Sequence, residues 1–377
     1  MTNKIIFCDN LAATFVSHRI PLVEFARAGG WDSIAAVPLP HDEITARGIT
    51  CVPVKLARKG LNPLTELLTL VQLITLFRCW SPAVVHLRTP KMWIYGGIAA
   101  RLAGVPGVVS HITGIGSAMS GRTWRSRAAR IALTVLAPLC FGHPRQRVIA
   151  QNRDDAAVLL RLRCPRRKLR LIRGSGVDCV ALQPSPEPSG LPLVVLPARM
   201  LADKGVREFI AAAGILRQRG VALRCALVGA CDLGNPSAIP EAELRQAHDT
   251  GVVEWWGYQK DMAGVLAQAH VVCLPLYYGE GLPKSLLEAM ACGLAVVTCN
   301  SPGCREPVIP EVTGLLVPPR DAVALADALE HLIRDPTLRQ RMGAAGRAHC
   351  EAHFALPRIL ELTYGAIAAV GPQGAAV

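Results

Sequence analysis

Residues 275–319 read PLYYGEGLPKSLLEAMACGLAVVTCNSPGCREPVIPEVTGLLVPP. The stretch leaves a β-branched apolar run at 271–274, crosses a Gly-containing loop and enters a helix pattern over 285–291. Two further strand patterns follow, at 295–297 and 314–317, bounded by Gly and Pro. Strand, helix and strand at this spacing make a βαβ unit of a parallel sheet with right-handed crossovers. The same alternation extends toward the N-terminus, with strands over 193–196 and 224–228 and a helix over 205–218 between them. It lapses at Gln183-Pro-Ser-Pro-Glu-Pro-Ser-Gly190, the strongest Pro/Ser cluster, which reads as a domain boundary. Beyond the cluster it resumes. Strands are expected at 4–8, 34–37, 83–86 and 108–111, with helices over 17–28, 64–80 and 94–102. The expected fold is α/β, with doubly wound domains over 1–183 and 190–350. A last segment, 351–377, carries an apolar helix over about 356–370 and is expected to pack back on the first domain.

The 377 residues are 51% hydrophobic and 18% charged, a balance that excludes disordered and coiled-coil architectures. The longest apolar stretch, 131–141, is too short to span a bilayer. The opening MTNKIIFCDN lacks the features of a secretory signal, so a cytoplasmic setting is expected. Thirteen cysteines are scattered singly without a C-x-x-C pair, which reads as reduced, buried thiols and neither a disulfide framework nor a metal site. Net charge is +13, and it is unevenly placed. Residues 1–183 hold 25 Lys and Arg against 9 Asp and Glu, whereas residues 184–377 hold 16 against 19. An anionic partner of the first half follows: nucleic acid, an anionic membrane surface or a polyanionic substrate.

Chemistry concentrates after the strands of the second half. A helix opening near Pro283–Ser285 leaves backbone N–H groups unpaired, so the loop Gly281–Leu282–Pro283–Lys284–Ser285 suits a diphosphate. Glu288, one turn into that helix, can accept two hydrogen bonds from a ribose diol, and Glu280 on the loop is placed to meet a sugar. Arg199 and Lys204 follow the first strand of this half, where open α/β sheets bind ligands, and together suit a leaving diphosphate.

The order Arg199-x4-Lys204-Gly, Val228-Gly229, Glu280-Gly-Leu-Pro-x4-Glu288 and Gly314-Leu-Leu-Val-Pro-Pro resembles the donor domain of family 4 retaining glycosyltransferases over about residues 193–332. The resemblance implies a GT-B fold, two Rossmann-like domains facing a cleft. It assigns the donor diphosphate to Arg199 and Lys204, the ribose to Glu288 and the transferred sugar to Glu280. Gly229 joins the donor loops, and Trp255-Trp256-Gly257-Tyr258 falls at the nucleobase pocket, so Tyr258 is a donor contact by the same resemblance. In the first half, Phe15-Val-Ser-His-Arg19-Ile-Pro21, the Val84-Val-His86 strand end and Ser110-His111-Ile-Thr-Gly-Ile-Gly116 resemble a bacterial branch that extends lipid-linked oligosaccharide or O-antigen units. That branch implies a UDP-sugar donor, with no cofactor and no metal, and His111 beside the transferred sugar. Thr14, Arg19 and Arg88 are the candidate acceptor contacts. The expected acceptor is a lipid-linked saccharide.

The run 121–130 (GRTWRSRAAR) and seven basic residues within 161–173 place positive charge beside apolar helix patterns. They suggest peripheral attachment to the anionic inner face of the plasma membrane. Nucleic-acid recognition motifs are missing, so nucleic acid is not an expected partner. Two rival readings stand beside the transferase: a GT-B-like UDP-sugar epimerase and a basic nucleic-acid-binding protein.

Overall fold

The computed structural model describes residues 3–38, 42–55, 63–115 and 124–372. The chain forms two compact units, Met1–Ser175 with Pro357–Val377, and Gly176–Leu356.

The first unit holds seven parallel strands: β1 (Lys4–Cys8), β2 (Asp32–Val37), β3 (Thr50–Pro53), β4 (Val84–Arg88), β5 (Gly107–Ile112), β6 (Gln146–Ala150) and β7 (Leu169–Leu171). Their order is β3-β2-β1-β4-β5-β6-β7. The second unit holds β8 (Leu193–Pro197), β9 (Arg224–Val228), β10 (Glu254–Gly257), β11 (Val271–Leu274), β12 (Ala295–Cys299) and β13 (Gly314–Val317), ordered β10-β9-β8-β11-β12-β13. Both are Rossmann-like sheets. The strand order reverses at β1/β4 in one and β8/β11 in the other, and ligands of such sheets sit at the carboxyl ends of those strands.

Helices cover both faces of the first sheet, so its strands read as continuous apolar runs. Ile6, Cys8, Val85 and Leu87 pack into one cluster, and Ile5, Phe7 and Val84 into the other. Several helices start before the sequence patterns suggested. The first spans Ala12–Ala28, five residues longer than expected, because Ala12 and Ala13 extend it and Phe15 anchors its first turn in the core. The last helix, Leu356–Ala368, packs on the first unit: Tyr364 stacks edge-on against Phe25, and Ile367 and Val370 join the cluster of Val23 and Trp31.

The division between units falls at Ser175–Gly176, between Gly174 and Gly176 with φ of 74° and 82°, not in the Pro/Ser cluster at 183–190. That cluster is a loop of the second unit. Glu187 accepts from Arg339 Nε at 2.6 Å, and Arg347 donates to the Leu182 carbonyl at 2.6 Å, tying the loop to the Pro336–Phe354 helix.

Two helices of the first unit are inverted relative to an ordinary amphipathic helix. Pro63–Trp80 turns Leu73, Leu76 and Phe77 inward, yet its first turns bury Glu66 and Thr69 and expose Leu64, Leu67, Leu68 and Val71. Trp124–Cys140 buries Leu133, Ala137 and Cys140 and exposes Ile131, Val135 and Leu139. Both pack against the Pro90–Leu102 helix, so the two apolar stripes flank it on one side of the sheet. Among the described residues no helix is long and apolar enough to cross a membrane.

Candidate active site

In the second unit β8 ends at Pro197, and the following loop carries Arg199 and a 3₁₀ turn, Ala202–Lys204, closed by Gly205 at φ 76°. A β-carbon on Gly205 would lie 2.2 Å from the Pro275 carbonyl oxygen, so this loop rests against the start of the loop after β11. Lys204 Nζ donates to Glu280 Oε1 at 2.5 Å across that junction. Arg199 Nη1 meets Asp232 Oδ2 at 2.5 Å, and Lys284 Nζ stands 3.5 Å from Glu288 Oε1. Arg199, Lys204 and Lys284 are thus each set against a carboxylate.

The helix Lys284–Ala291 begins after Pro283, and no side chain caps its N-terminus. Gly281, Leu282 and Pro283 are buried beneath the turn, while Lys284 and Ser285 are half-buried at its mouth. The loop is supported from below: a β-carbon on Gly303 would fall 2.5 Å from the Glu280 carbonyl oxygen, and Ser301 Oγ donates to the Leu276 carbonyl. Burial pushes the Glu288 carboxyl above the ordinary carboxylate range, with Lys284 opposing. Gly229, just past β9, has φ 153°, and a β-carbon there would meet the Ala198 carbonyl oxygen at 1.8 Å, so only glycine fits. Its carbonyl accepts from Trp255 Nε1 at 3.0 Å, which makes Trp255 a brace for that turn, while Tyr258 past β10 stands 73% exposed. Arg199, Lys204, Gly229, Tyr258, Glu280, the 281–285 turn and Glu288 therefore all lie in or near the segments that leave the carboxyl ends of β8 to β11.

Sequence reasoning missed the carboxylates and glycines that hold these groups. Asp232 pairs with Arg199, and the Asp203 side chain accepts from Ser237 Oγ at 2.5 Å. Gly303 carries no motif signal; only its contact with the Glu280–Gly281 backbone reveals it. A cavity of about 400 Å³ lined by Glu187, His270, Gly293 and Arg339 opens elsewhere, at the amino ends of β11 and β12.

In the first unit the carboxyl ends of β1, β4 and β5 bring together Asp9, Thr14, Arg19, His86, Arg88 and His111. Arg88 Nη1 donates to Asp9 Oδ2 at 2.9 Å, and Thr14 Oγ1 lies 3.3 Å from Asp9 Oδ1. Arg19, buried on the first helix, reaches His111 Nδ1 at 3.3 Å. A guanidinium only donates, so Nδ1 accepts and Nε2 carries the hydrogen; the Gln151 amide group 3.1 Å away accepts it with its oxygen turned to the ring, the nitrogen and oxygen of an amide being interchangeable by a flip. His111 is thus enclosed within the strand with both ring nitrogens engaged; Thr113, half-buried, is the second residue past it in the loop. Burial and the neighbouring Arg19 hold both His86 and His111 well below the ordinary imidazole range, so both are neutral. Asp155, pushed up to about 6 by burial, accepts from the Ile115 backbone N–H and fixes the end of that loop. Gly116 and residues 121–123 of the basic run lie outside the described residues, as do the side chains of Trp124 and Arg125.

Residues 181–349 match the family model described as glycosyl transferases group 1, and residues 4–135 match glycosyl transferase 4-like. The chain is 26% identical over 353 residues to the N,N'-diacetylbacillosaminyl-diphospho-undecaprenol alpha-1,3-N-acetylgalactosaminyltransferase of Campylobacter jejuni, covering 89% of this chain and 91% of that one. It is 31% identical over 293 residues to a GDP-mannose-dependent alpha-mannosyltransferase of Mycobacterium tuberculosis, covering 73% and 70%. Among solved structures, HepE of Anabaena in complex with UDP superposes with a TM-score of 0.77 at 19% identity, over 97% of this chain and 100% of that one. A glycosyltransferase of Rickettsia africae superposes with a TM-score of 0.79 at 16% identity, over 98% of each chain, and shares the fold. With both halves matched and the mannosyltransferase aligned over two thirds of each chain, the protein belongs to the family 4 glycosyltransferases and has their GT-B type fold.

Proposed function

We propose that this glycosyltransferase moves a hexosyl or N-acetylhexosaminyl group from a UDP-sugar to a saccharide carried on polyprenyl diphosphate, with retention at the anomeric carbon and without a metal ion. The observation that carries the reading is the set of loops after β8 and β11, where Lys204 and Glu280 meet at 2.5 Å beside an uncapped helix N-terminus. Arg199 and Lys204 supply positive charge for a departing diphosphate, and the N–H groups of the 284–286 turn add donors. Glu288, one turn deeper, takes the ribose hydroxyls, and Glu280 stands beside the sugar. The C1–phosphate bond breaks, the acceptor oxygen bonds to C1 from the same face, and the hydroxyl proton passes to the leaving diphosphate. Support for the acceptor comes from the Campylobacter relative, whose name specifies a diphospho-undecaprenol substrate, and support for the nucleotide from HepE with UDP.

The same reading places the enzyme at an anionic membrane surface. Seven exposed large apolar side chains among the described residues of the two helices that pack on Pro90–Leu102, among them Leu67, Leu68, Val71 and Val135, belong to the half of the chain that carries the basic excess. An apolar stripe beside basic residues inserts at a headgroup boundary.

Thermal stability measured with UDP, GDP, ADP and a short DNA duplex tests the donor assignment, because a ligand that binds only the folded state raises its stability. Stabilisation by UDP that is lost in Glu288→Ala is the expected result. A shift with DNA alone overturns the reading, and GDP in place of UDP changes the donor while keeping the mechanism. Flotation with vesicles containing phosphatidylglycerol tests the surface; Leu67→Ser with Leu68→Ser is expected to weaken binding, and equal binding by that variant removes the stripe from the proposal.

A further inference from the structure

Among the described residues, the buried cations Arg339 and Lys168 are closed on acceptors, whereas Arg19 and Arg88 keep donors without one. Arg339, 4% exposed, donates Nε to Glu187 and Nη1 to the Leu332 carbonyl, and Lys168, 5% exposed, donates to the carbonyls of Phe141 and His143. Arg19 is as deeply buried, at 3%, yet only Nη1 is engaged, on His111 Nδ1; Nε and Nη2 have no partner among the described residues. Beside it, Arg88 gives Nη1 to Asp9, while its Nε and His86 Nε2 have no partner among the described residues. A group used only for packing closes its fork on carbonyls or a carboxylate, because a buried donor without a partner is costly.

The charge is also unbalanced. Two guanidiniums face one carboxylate, Asp9, and the imidazoles of His86 and His111 are neutral. His18, packed nearby from the same helix, is turned to Ser175 Oγ at 2.9 Å, and Asp155 is turned to the Ile115 N–H. One positive charge and a set of unpaired donors thus remain at the carboxyl ends of β1, β4 and β5, the edge at which such sheets take ligands. The missing component is an anion that only accepts hydrogen bonds and offers several oxygens to a planar fork, which a phosphoryl group does.

We propose that Arg19, seconded by Arg88, forms a phosphoryl subsite of the first unit that grips the phosphate of the acceptor. The assignment rests on the reading that the acceptor is diphosphate-linked, and it deepens that reading by naming the residue that reads the linkage. The same chemistry could be met by free phosphate, so the test separates the two sources.

The experiment uses the full chain with Arg19→Gln and Arg19→Lys. Transfer is measured to a saccharide on polyprenyl diphosphate and to the same saccharide on a neutral alkyl chain. The preference for the diphosphate acceptor, as a ratio of kcat/KM, is expected to fall at least about tenfold in Arg19→Gln, the size of one lost charged hydrogen bond, through KM and not kcat. Arg19→Lys should restore part of it. In parallel, in a background with Arg199→Met and Lys204→Met, which removes the diphosphate cations of the second unit, melting with inorganic pyrophosphate should show a stabilisation that adding Arg19→Gln abolishes. Arg19→Gln without ligand should melt no lower than the parent, since it removes an uncompensated buried charge. An equal loss on both acceptors, or a marked drop in melting temperature without ligand, overturns the proposal in favour of a packing role. A pyrophosphate shift lost in Arg19→Gln with an unchanged acceptor ratio makes the subsite one for free phosphate and overturns its assignment to the acceptor. If no sugar is transferred to either acceptor, the proposed function fails, and the pyrophosphate result still decides whether the subsite exists.

Discussion

The two sheets place an ion pair at the same topological point with the charges exchanged. In the first unit the carboxylate follows the central strand β1, as Asp9, and the cation ends its neighbour β4, as Arg88. In the second the cation follows β8, as Lys204, and the carboxylate follows β11, as Glu280. Burial differs as well: the side chains of Arg88 and Asp9 are 10% and 1% exposed, against 13% and 23% for Lys204 and Glu280. A pair sealed in the protein fixes the strand ends and leaves Arg19 as the cation without a counterion. A pair at the rim of a loop can open, which is what the proposed transfer of the lysine to a diphosphate requires. One switch point is held by a sealed salt bridge; the other carries its pair at a half-open rim.

Arg88→Met tests this contrast most severely. It strands the Asp9 carboxylate in a buried site, and removing one partner of such a pair costs about 3–5 kcal/mol. Denaturant unfolding should show that loss, and the double variant Asp9→Asn with Arg88→Met should recover most of it. Lys204→Met should behave in the opposite way. Unfolding free energy should move by no more than about 1 kcal/mol, because Glu280 reaches water, while kcat falls about 10²–10³-fold for want of a group that steadies the leaving charge. A Lys204→Met protein as unstable as Arg88→Met, with turnover intact, would erase the distinction between the two pairs.

The sequence made the second switch point far more legible than the first. Arg199, Lys204, Glu280 and Glu288 stand in short local motifs whose spacing follows from a strand–loop–helix geometry, and the strands at 224–228, 271–274 and 314–317 have the bounds read from the residues. The first site is assembled from positions 9, 19, 88, 111 and 151, which no local spacing relates. His111 illustrates the difference: its place at a strand end is read from the sequence, whereas its neighbours Arg19 and Gln151 are brought to it by tertiary packing. The Pro/Ser cluster at 183–190 misled for a similar reason. Composition reports that a segment lacks regular structure, not which unit it packs on, and the Arg339–Glu187 pair decides that.

Glu288 sharpens the comparison through pH. Burial raises its carboxyl above the ordinary range, so the folded protein binds that proton more tightly than the unfolded chain does. Its contribution to stability is complete below the ordinary carboxylate pKa and is lost as pH rises through the raised one. If Glu288 takes the ribose as proposed, donor binding should have the opposite slope, because the ionised carboxylate is the better acceptor for both hydroxyls. Across that window UDP affinity should climb with pH while intrinsic stability declines. Glu288→Gln should flatten both profiles and weaken UDP about tenfold, the effect of losing a charged hydrogen bond. Parallel slopes for binding and stability would mean that Glu288 binds donor in its protonated form.

The smallest effect belongs to the most exposed pair. Arg199 and Asp232 are 49% and 21% exposed in their side chains, so Asp232→Asn should alter unfolding free energy by less than about 1 kcal/mol. Its consequence lies in competition. Asp232 occupies one arm of the Arg199 fork at 2.5 Å, and a diphosphate that takes the fork must displace it. Weakening the competitor should lower the donor KM by a factor of about two to five, the range of an exposed ion pair, with kcat unchanged. A rise in KM instead would show that Asp232 holds Arg199 in its binding geometry, making this rim pair a support like Asp9–Arg88 and not an exchangeable partner.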